Sequence, residues 1–387
     1  MSPFSVLVKP VSADCNLCCT YCYYLPVSDL YPGTVHHSMP ESVLEHVIKS
    51  YMDTDQAVYQ FYWQGGEPCL AGLDFFQKAV DFQKKYVRPG AVVSNAIQTN
   101  ATLITDEWAA FFARYRFLVG CSLDGPKKMH NQYRLTRTEK PTQKAVCRGL
   151  DLLQRHRVPF NTLTVVSQAN VDHPRAVYQF LKQAGAYHHQ YIPCTAWDSQ
   201  GRLQPYAITG RQWGRFLTGI FDAWYPKDTD AVCIGNFDAV LAAKMDGMHP
   251  VCSAAKSCNR HVVIEYNGDV YPCDFFVTPV HCLGNIMKNS WETLRKSGRY
   301  TAFLRRKADI NAACSTCEFL PLCWGDCLRN RLYQNNDART LSCLCPGLKT
   351  FLTYTREGFD QLCRVITSRR LHLRRPLPFT GNLEKPC

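Results

Sequence analysis

The chain has 387 residues, 46% of them hydrophobic, which is enough for one large barrel plus a smaller module and too many for wholesale disorder. No run of eighteen apolar residues occurs, and the first ten residues lack a basic start and a long apolar segment. Neither a membrane span nor a secretory leader is expected, and the chain is expected in the cytoplasm. The formal charge of +12, from 44 basic against 32 acidic residues, reads mainly as a solvated surface. Part of it sits in one tail segment, Arg364 to Arg375, and nucleic-acid binding is not expected.

Through the first half, strand-like runs alternate with helical ones. Phe4–Val11 precedes a cysteine-bearing loop and a helix at Glu41–Met52. Tyr59–Gln64 leads to Phe75–Tyr86, Ala91–Gln98 to Glu107–Tyr115, Phe117–Leu123 to Gln143–His156, and Phe160–Val166 to Pro174–Ala184, with His189–Pro193 ending the series. Six strands alternating with helices imply parallel pairing through right-handed crossovers. The fold class expected is α/β, a partial (β/α)6 barrel, with an open doubly wound sheet as the alternative. Residues 195–250 read as a connector with helices at Gln212–Trp224 and Phe237–Met245. A hairpin follows, Val262–Tyr266 and Asp269–Cys273, turned by Asn267-Gly268. The expected domains are a barrel with its connector at 1–235, a cysteine-rich module at 236–355, and a helix end with a basic tail at 356–387.

Twenty-one cysteines in a reducing cytoplasm point to metal or catalysis rather than disulfides. Cys15, Cys19 and Cys22 stand as C-x3-C-x2-C after the first strand. A cubane iron–sulfur cluster has four iron corners, each normally taking one thiolate, so three clustered thiolates leave one iron open. A zinc site is the alternative, with Cys18 as a fourth ligand strained by its neighbour Cys19. The other polar motifs fall at strand C-termini, where parallel barrels build active sites: Gln64-Gly65-Gly66-Glu67-Pro68, Gln98-Thr99-Asn100 and Ser122-Leu123-Asp124-Gly125. A second group contains Cys252-x5-Cys258, Cys273 after the hairpin, and Cys314-x2-Cys317-x5-Cys323-x3-Cys327, followed by Cys343 and Cys345. Zinc held by four thiolates also fits these spacings.

The triplet with its glycine-rich strand end resembles the radical S-adenosylmethionine (SAM) enzymes, in which the open iron chelates the amino and carboxylate groups of SAM. The resemblance implies that Gly65, Gly66 and Glu67 receive the amino group, Ser122 the ribose or carboxylate, and Tyr21 and Ile192 the adenine. Arg134 is a polar contact for cofactor or peptide. The second cysteine group resembles the SPASM extension of those enzymes, which holds two further clusters. It implies Cys252, Cys258, Cys273 and Cys327 for one cluster, and Cys314, Cys317, Cys323 with Cys345 or Cys343 for the other. Cys345 is favoured, because Pro346 to Phe351 suit the family's closing helix. The cofactors implied are SAM and three 4Fe-4S clusters.

Tyr271-Pro272-Cys273-Asp274-Phe275, with Lys9-Pro10, Cys22-Tyr23-Tyr24 and Leu283-Gly284-Asn285-Ile286, resembles the anaerobic sulfatase-maturating enzymes over nearly the whole chain. That likeness implies Asp274 as the base, its pKa raised by partial burial, with Tyr24 and Gln64 beside the substrate side chain. It implies oxidation of a cysteine or serine in an unfolded or nascent sulfatase polypeptide to Cα-formylglycine, with the second electron leaving through the auxiliary clusters. An electron donor such as flavodoxin or ferredoxin is the other expected partner. Ala101 departs from the pattern, standing where relatives usually carry glycine, and Cys18 and Cys343 are additional. A maturase of ribosomal peptides, an RNA-modifying radical enzyme and a non-catalytic electron carrier are the competing readings.

Overall fold

The computed structural model describes residues 2–34, 36–333 and 336–373. Among these residues ten strands run in chain order as β1 (Ser5–Val8), β2 (Val58–Trp63), β3 (Val92–Thr99), β4 (Leu118–Ser122), β5 (Phe160–Val166), β6 (His188–Pro193), β7 (Cys233–Ile234), β8 (His261–Ile264), β9 (Asp269–Tyr271) and β10 (Gly284–Asn285). The longer helices are α1 (Glu41–Met52), α2 (Leu73–Tyr86), α3 (Asp106–Arg114), α4 (Gln143–Arg155), α5 (Pro174–Gln183), α6 (Gly210–Trp224), α7 (Gly235–Asp246), α8 (Gly298–Ala308), α9 (Cys345–Tyr354) and α10 (Arg356–Leu373). Two compact units form. One comprises Met1–Ser122, Tyr133–Phe160 and Ser257–Ala308; the other comprises Leu123–Gln132, Asn161–Lys256 and Asp309–Cys387.

In the first unit the strands lie in the order β10-β9-β8-β1-β2-β3-β4. β1 to β4 pair in parallel, as alternation with helices demands. β2 shows how side-chain alternation sets the two faces. Tyr59, Phe61 and Trp63 are buried in an aromatic core with Tyr51 of α1 and Phe76 of α2, while Val58 and Tyr62, on the other face, stay exposed. The hairpin was expected in a separate module. It instead continues this sheet: β8 pairs in parallel with β1, Ser5 opposite His261 through Val8 opposite Ile264. The register extends one step further, where the Lys9 amide donates to the Ile264 carbonyl at 2.9 Å, so Lys9 and Glu265 leave the sheet side by side. The turn is the expected one, with Gly268 at φ +89° closing the antiparallel return of β9.

In the second unit β5, β6 and β7 pair in parallel, β7 being a two-residue strand absent from the sequence reading. Helix α6 opens on a capping box, Thr209 with Gln212. It packs against α9 through glycines: a Cβ on Gly347 would stand 1.7 Å from the Gly210 carbonyl oxygen and 2.7 Å from the Gly214 nitrogen. After residue 355, where a helix end and tail were expected, α10 runs for 18 residues. Arg374, Arg375 and the rest of the tail lie outside the described residues. Among the described residues no helix is long and apolar enough to cross a membrane.

Candidate active site

The cysteine triplet occupies the loop after β1, and the chain ties that loop down on two sides. The Cys18 amide donates to the Leu135 carbonyl at 2.8 Å and the Thr20 amide to that of Tyr133 at 3.0 Å, while Arg137 Nε donates to the Cys15 carbonyl at 3.0 Å. On the other side, Asn100 at the end of β3 donates through Nδ2 to Asn16 at 2.8 Å and to Cys15 Sγ at 3.7 Å. Cys19 is buried, and Cys15 and Cys22 are half-buried. Burial pushes the Cys15 thiol up to about 12, and the neighbouring Glu67, Cys19 and Cys22 push in the same direction. Binding a metal centre would need these thiols deprotonated, a step that the metal itself drives. Cys18 is exposed, apart in burial from the three.

The segment after β2 has a different construction from the one its glycines first suggest. A Cβ on Gly66 would lie 1.8 Å from the Asp14 carbonyl oxygen, and one on Gly65 2.6 Å from that of Ser12. The amides of Gly66 and Glu67 donate to those same two carbonyls at 2.7 and 2.8 Å. Glycine is therefore required for the turn to seat against the loop leading to Cys15. The Glu67 carboxylate is fully buried and accepts from Thr99 Oγ1 at 2.6 Å, the Asn100 amide at 2.7 Å and the Cys69 amide at 3.1 Å. Burial pushes this carboxyl up while those three donors pull it back. Glu67 thus clamps the ends of β2 and β3 together beneath the cysteine loop. Ala101, at φ +59°, holds the left-handed conformation that glycine adopts freely; its amide reaches Thr99 Oγ1 at 3.0 Å and the loop closes intact. Ser122, the last residue of β4, is buried, and the Arg134 guanidinium stacks over the Tyr21 ring at 5.5 Å. Ile192 lies half-buried on β6 of the second unit.

The sheet brings Asp274, just past β9, to the C-terminal end of β2. Asp274 Oδ2 accepts from Gln64 Nε2 at 2.9 Å and from the Tyr23 hydroxyl at 2.6 Å, and Oδ1 faces the Cys273 thiol at 3.5 Å. The His261 imidazole, the Cys273 sulfur and the Asp274 carboxylate lie within 4.8 Å of one another. The expected rise in the Asp274 pKa is corrected. Burial pushes it up, but Lys9, the Tyr23 hydroxyl, His261 and the Cys273 contact together hold it below the usual carboxylate range. Asp274 is therefore ionised at neutral pH and able to accept a proton. Gln64 and Asp274 are brought together by their hydrogen bond. The Tyr24 hydroxyl is elsewhere: Tyr24 is 2% exposed, donates to buried Glu265 and lies under the Lys9 ammonium at 4.1 Å. The tyrosine on Asp274 is its neighbour Tyr23, which sequence reasoning missed together with Lys9, Glu265 and His261. The available signal was that Lys9-Pro10 and Cys22-Tyr23-Tyr24 stand among the residues that carry the family likeness.

In the second unit Cys314, Cys317, Cys323 and Cys345 line one cavity, walled by Phe319, Leu320 and Leu352. Four converging thiols in an apolar shell suit a fully ligated cluster. Of the two candidates for the last position, Cys345 at the start of α9 is among the residues that line this cavity and Cys343 is not.

The radical SAM superfamily model matches residues 10–181, and the SPASM iron–sulfur cluster-binding domain model matches residues 252–318. A serine-type anaerobic sulfatase-maturating enzyme of Bacteroides thetaiotaomicron is 37% identical over 92% of this chain and 91% of its own length. A cysteine-type enzyme of the same name from Clostridium perfringens is 34% identical over 94% and 99%. The structure of native anSMEcpe with bound AdoMet and Cp18Cys peptide superposes with a TM-score of 0.87 at 32% identity, over 94% of this chain and 99% of that one. Streptococcus suis SuiB bound to S-adenosylmethionine shares the fold alone, with a TM-score of 0.63 at 15% identity over 89% and 77%. With an α/β parallel-strand fold, both domains and full-length relatives of this kind, the chain belongs to the anaerobic sulfatase-maturating enzymes of the radical SAM family.

Proposed function

We propose that this enzyme oxidises a cysteine or serine side chain in a sulfatase polypeptide to Cα-formylglycine. The observation that carries the reading is the Asp274 carboxylate held by Gln64 and Tyr23 beside Cys273, in a chain whose relatives of both the serine and the cysteine type match along its length. The peptide-bound anSMEcpe structure supports a polypeptide substrate. Cys15, Cys19 and Cys22 would hold the first cluster, and Cys314, Cys317, Cys323 and Cys345 an auxiliary one. Cys252, Cys258, Cys273 and Cys327 are assigned to the other auxiliary cluster on the resemblance to the SPASM extension alone.

When bound, SAM and the first cluster supply a radical that takes hydrogen from the substrate Cβ, and the auxiliary clusters supply an exit for the second electron. The chain's own residues do the rest. Glu67 fixes the turn whose backbone, with Ser122, Tyr21 and Arg134, would receive SAM. Asp274 accepts the proton of the target thiol or hydroxyl, a task for an ionised carboxylate within hydrogen-bond reach. Gln64 holds that carboxylate in orientation, and Tyr24, pinned by Glu265, forms a fixed wall beside it. A cysteine target gives a thioaldehyde that hydrolyses to the aldehyde; a serine target gives the aldehyde directly. The reductant proposed is flavodoxin or ferredoxin, and the setting the cytoplasm. Reconstituted enzyme incubated anaerobically with SAM, reductant and sulfatase-derived peptides tests this by mass spectrometry. Aldehyde at the target residue is the expected product; a crosslinked peptide would instead mark a maturase of ribosomal peptides.

A further inference from the structure

We infer that the rings of Tyr23 and Phe275 form a ledge beside Asp274 that takes an apolar side chain of the substrate polypeptide, one or two residues from the target. The two rings thereby help select which segment is oxidised. The inference rests on the function proposed above and names a specificity determinant of that site.

Two aromatic pairs, each adjacent in sequence, build the ledge. In Tyr23-Tyr24, the second ring is buried with its hydroxyl on Glu265, while Tyr23 is 40% exposed. In Phe275-Phe276, the second ring is again the buried one, packed on His281 and Phe303 with both centroid separations at 5.2 Å, while Phe275 is half-buried. A single helical turn, Asp274–Phe276, holds this second pair, and the Phe276 amide donates to the Cys273 carbonyl at 2.9 Å. Each pair thus sinks one ring into the core and leaves the other more open. The two more open rings meet, with centroids 4.6 Å apart and planes inclined by 51°. The Tyr23 hydroxyl donates to Asp274 Oδ2 at 2.6 Å, so the ledge starts at the proton acceptor.

Leaving large aromatic surface in water forgoes burial that a core position would provide, and such surface at a site mouth marks where a ligand lies. The hydroxyl on Asp274 accounts for a tyrosine at position 23 and not for a phenylalanine against its ring. The faces of both rings carry no hydrogen-bonding group, so the side chain they receive is apolar. An extended chain rises about 3.3 Å per residue, which puts a ring leading away from the acceptor under a residue one or two places from the target. Main-chain hydrogen bonds hold such a chain without regard to sequence, and side-chain pockets supply the selection.

The probes are sulfatase-derived peptides in which each of the two residues on either side of the target is, one at a time, leucine or serine. Binding to reconstituted, SAM-loaded enzyme is followed by fluorescence anisotropy, which needs no turnover. In wild type, leucine is expected to bind about tenfold more tightly than serine at one of these positions, as for one partly buried apolar side chain. Phe275→Ala at wild-type iron content is expected to erase that preference. Tyr23→Phe, which drops the hydroxyl and keeps the ring, is expected to retain it. If Phe275→Ala fails to load iron, Tyr23→Ser removes the other ring and is expected to show the same loss. Wild type that treats leucine and serine alike at all four positions overturns the inference without any variant. A preference that survives removal of either ring, with both peptides weakened equally, shows mere structural support and overturns it too, as does a preference that vanishes in Tyr23→Phe. Wild type that binds these peptides and makes no aldehyde would overturn the proposed function itself, an outcome distinct from the others.

Discussion

Asp274 takes two donors on one carboxylate oxygen and a thiol on the other, so its orientation is over-determined before any substrate arrives. That is the condition under which a general base contributes most, typically 10²–10⁴-fold. Asp274→Asn keeps the shape and removes the acceptor. It is expected to raise the 5′-deoxyadenosine formed per aldehyde by at least about 100-fold, read by chromatography and mass spectrometry in the same anaerobic reaction. An unchanged ratio would remove Asp274 from the mechanism. The residue type was legible in the sequence because the aspartate follows a hairpin cysteine in a recognisable string. Its charge state was not, because Lys9 and His261 reach it through strand pairing and leave no local trace. Tyr23 and Tyr24 were indistinguishable for a related reason. Two adjacent tyrosines in an irregular loop carry no periodicity, and only the β8 position of Glu265 decides which one turns away.

Strand and helix succession in the first half followed directly from hydrophobic periodicity, and the hairpin from Asn267-Gly268. The union of β8 with β1 did not, since long-range parallel pairing depends on which edges are free and not on any residue pattern. The same limit hid the fit of α9 on α6. There, Gly347 lies against Gly210 and Gly214 with no room for a methyl group, and Cys345 begins the same helix. Gly347→Ala is expected to cost about 1–3 kcal/mol by overpacking. It is also expected to lower the iron bound per chain as Cys345 is displaced, measured by thermal unfolding and iron analysis; retained stability and iron would show that α9 repacks freely. On β6, His189 is 2% exposed, and burial lowers its pKa from 6.5 to about 4. Because the folded value lies below the unfolded one, the neutral ring contributes its full stability above pH 6.5, and that contribution falls away as pH drops toward 4. The loss amounts to about 3 kcal/mol. Melting temperature should therefore fall more steeply over this window in wild type than in His189→Gln; parallel slopes would contradict it.

Over the whole molecule, the cysteines sort by surroundings rather than by number. Three gather in a loop bound to the ends of β2 and β3, and four line an apolar cavity of the second unit. Cys69 and Cys121 are buried. Ligand spacing was legible because metal chemistry demands thiolates at short, fixed separations. The preference for Cys345 over Cys343 came from the residues after it, and the fold adds that Cys345 lines the apolar cavity with Cys314, Cys317 and Cys323. The account as a whole makes SAM cleavage and peptide oxidation one coupled event. The most direct test is an anaerobic time course with wild-type enzyme and a sulfatase peptide, quantifying 5′-deoxyadenosine and formylglycine in the same samples. The two are predicted to rise together in equal amounts. SAM cleavage that leaves the peptide mass unaltered, or aldehyde formed without 5′-deoxyadenosine, would contradict it.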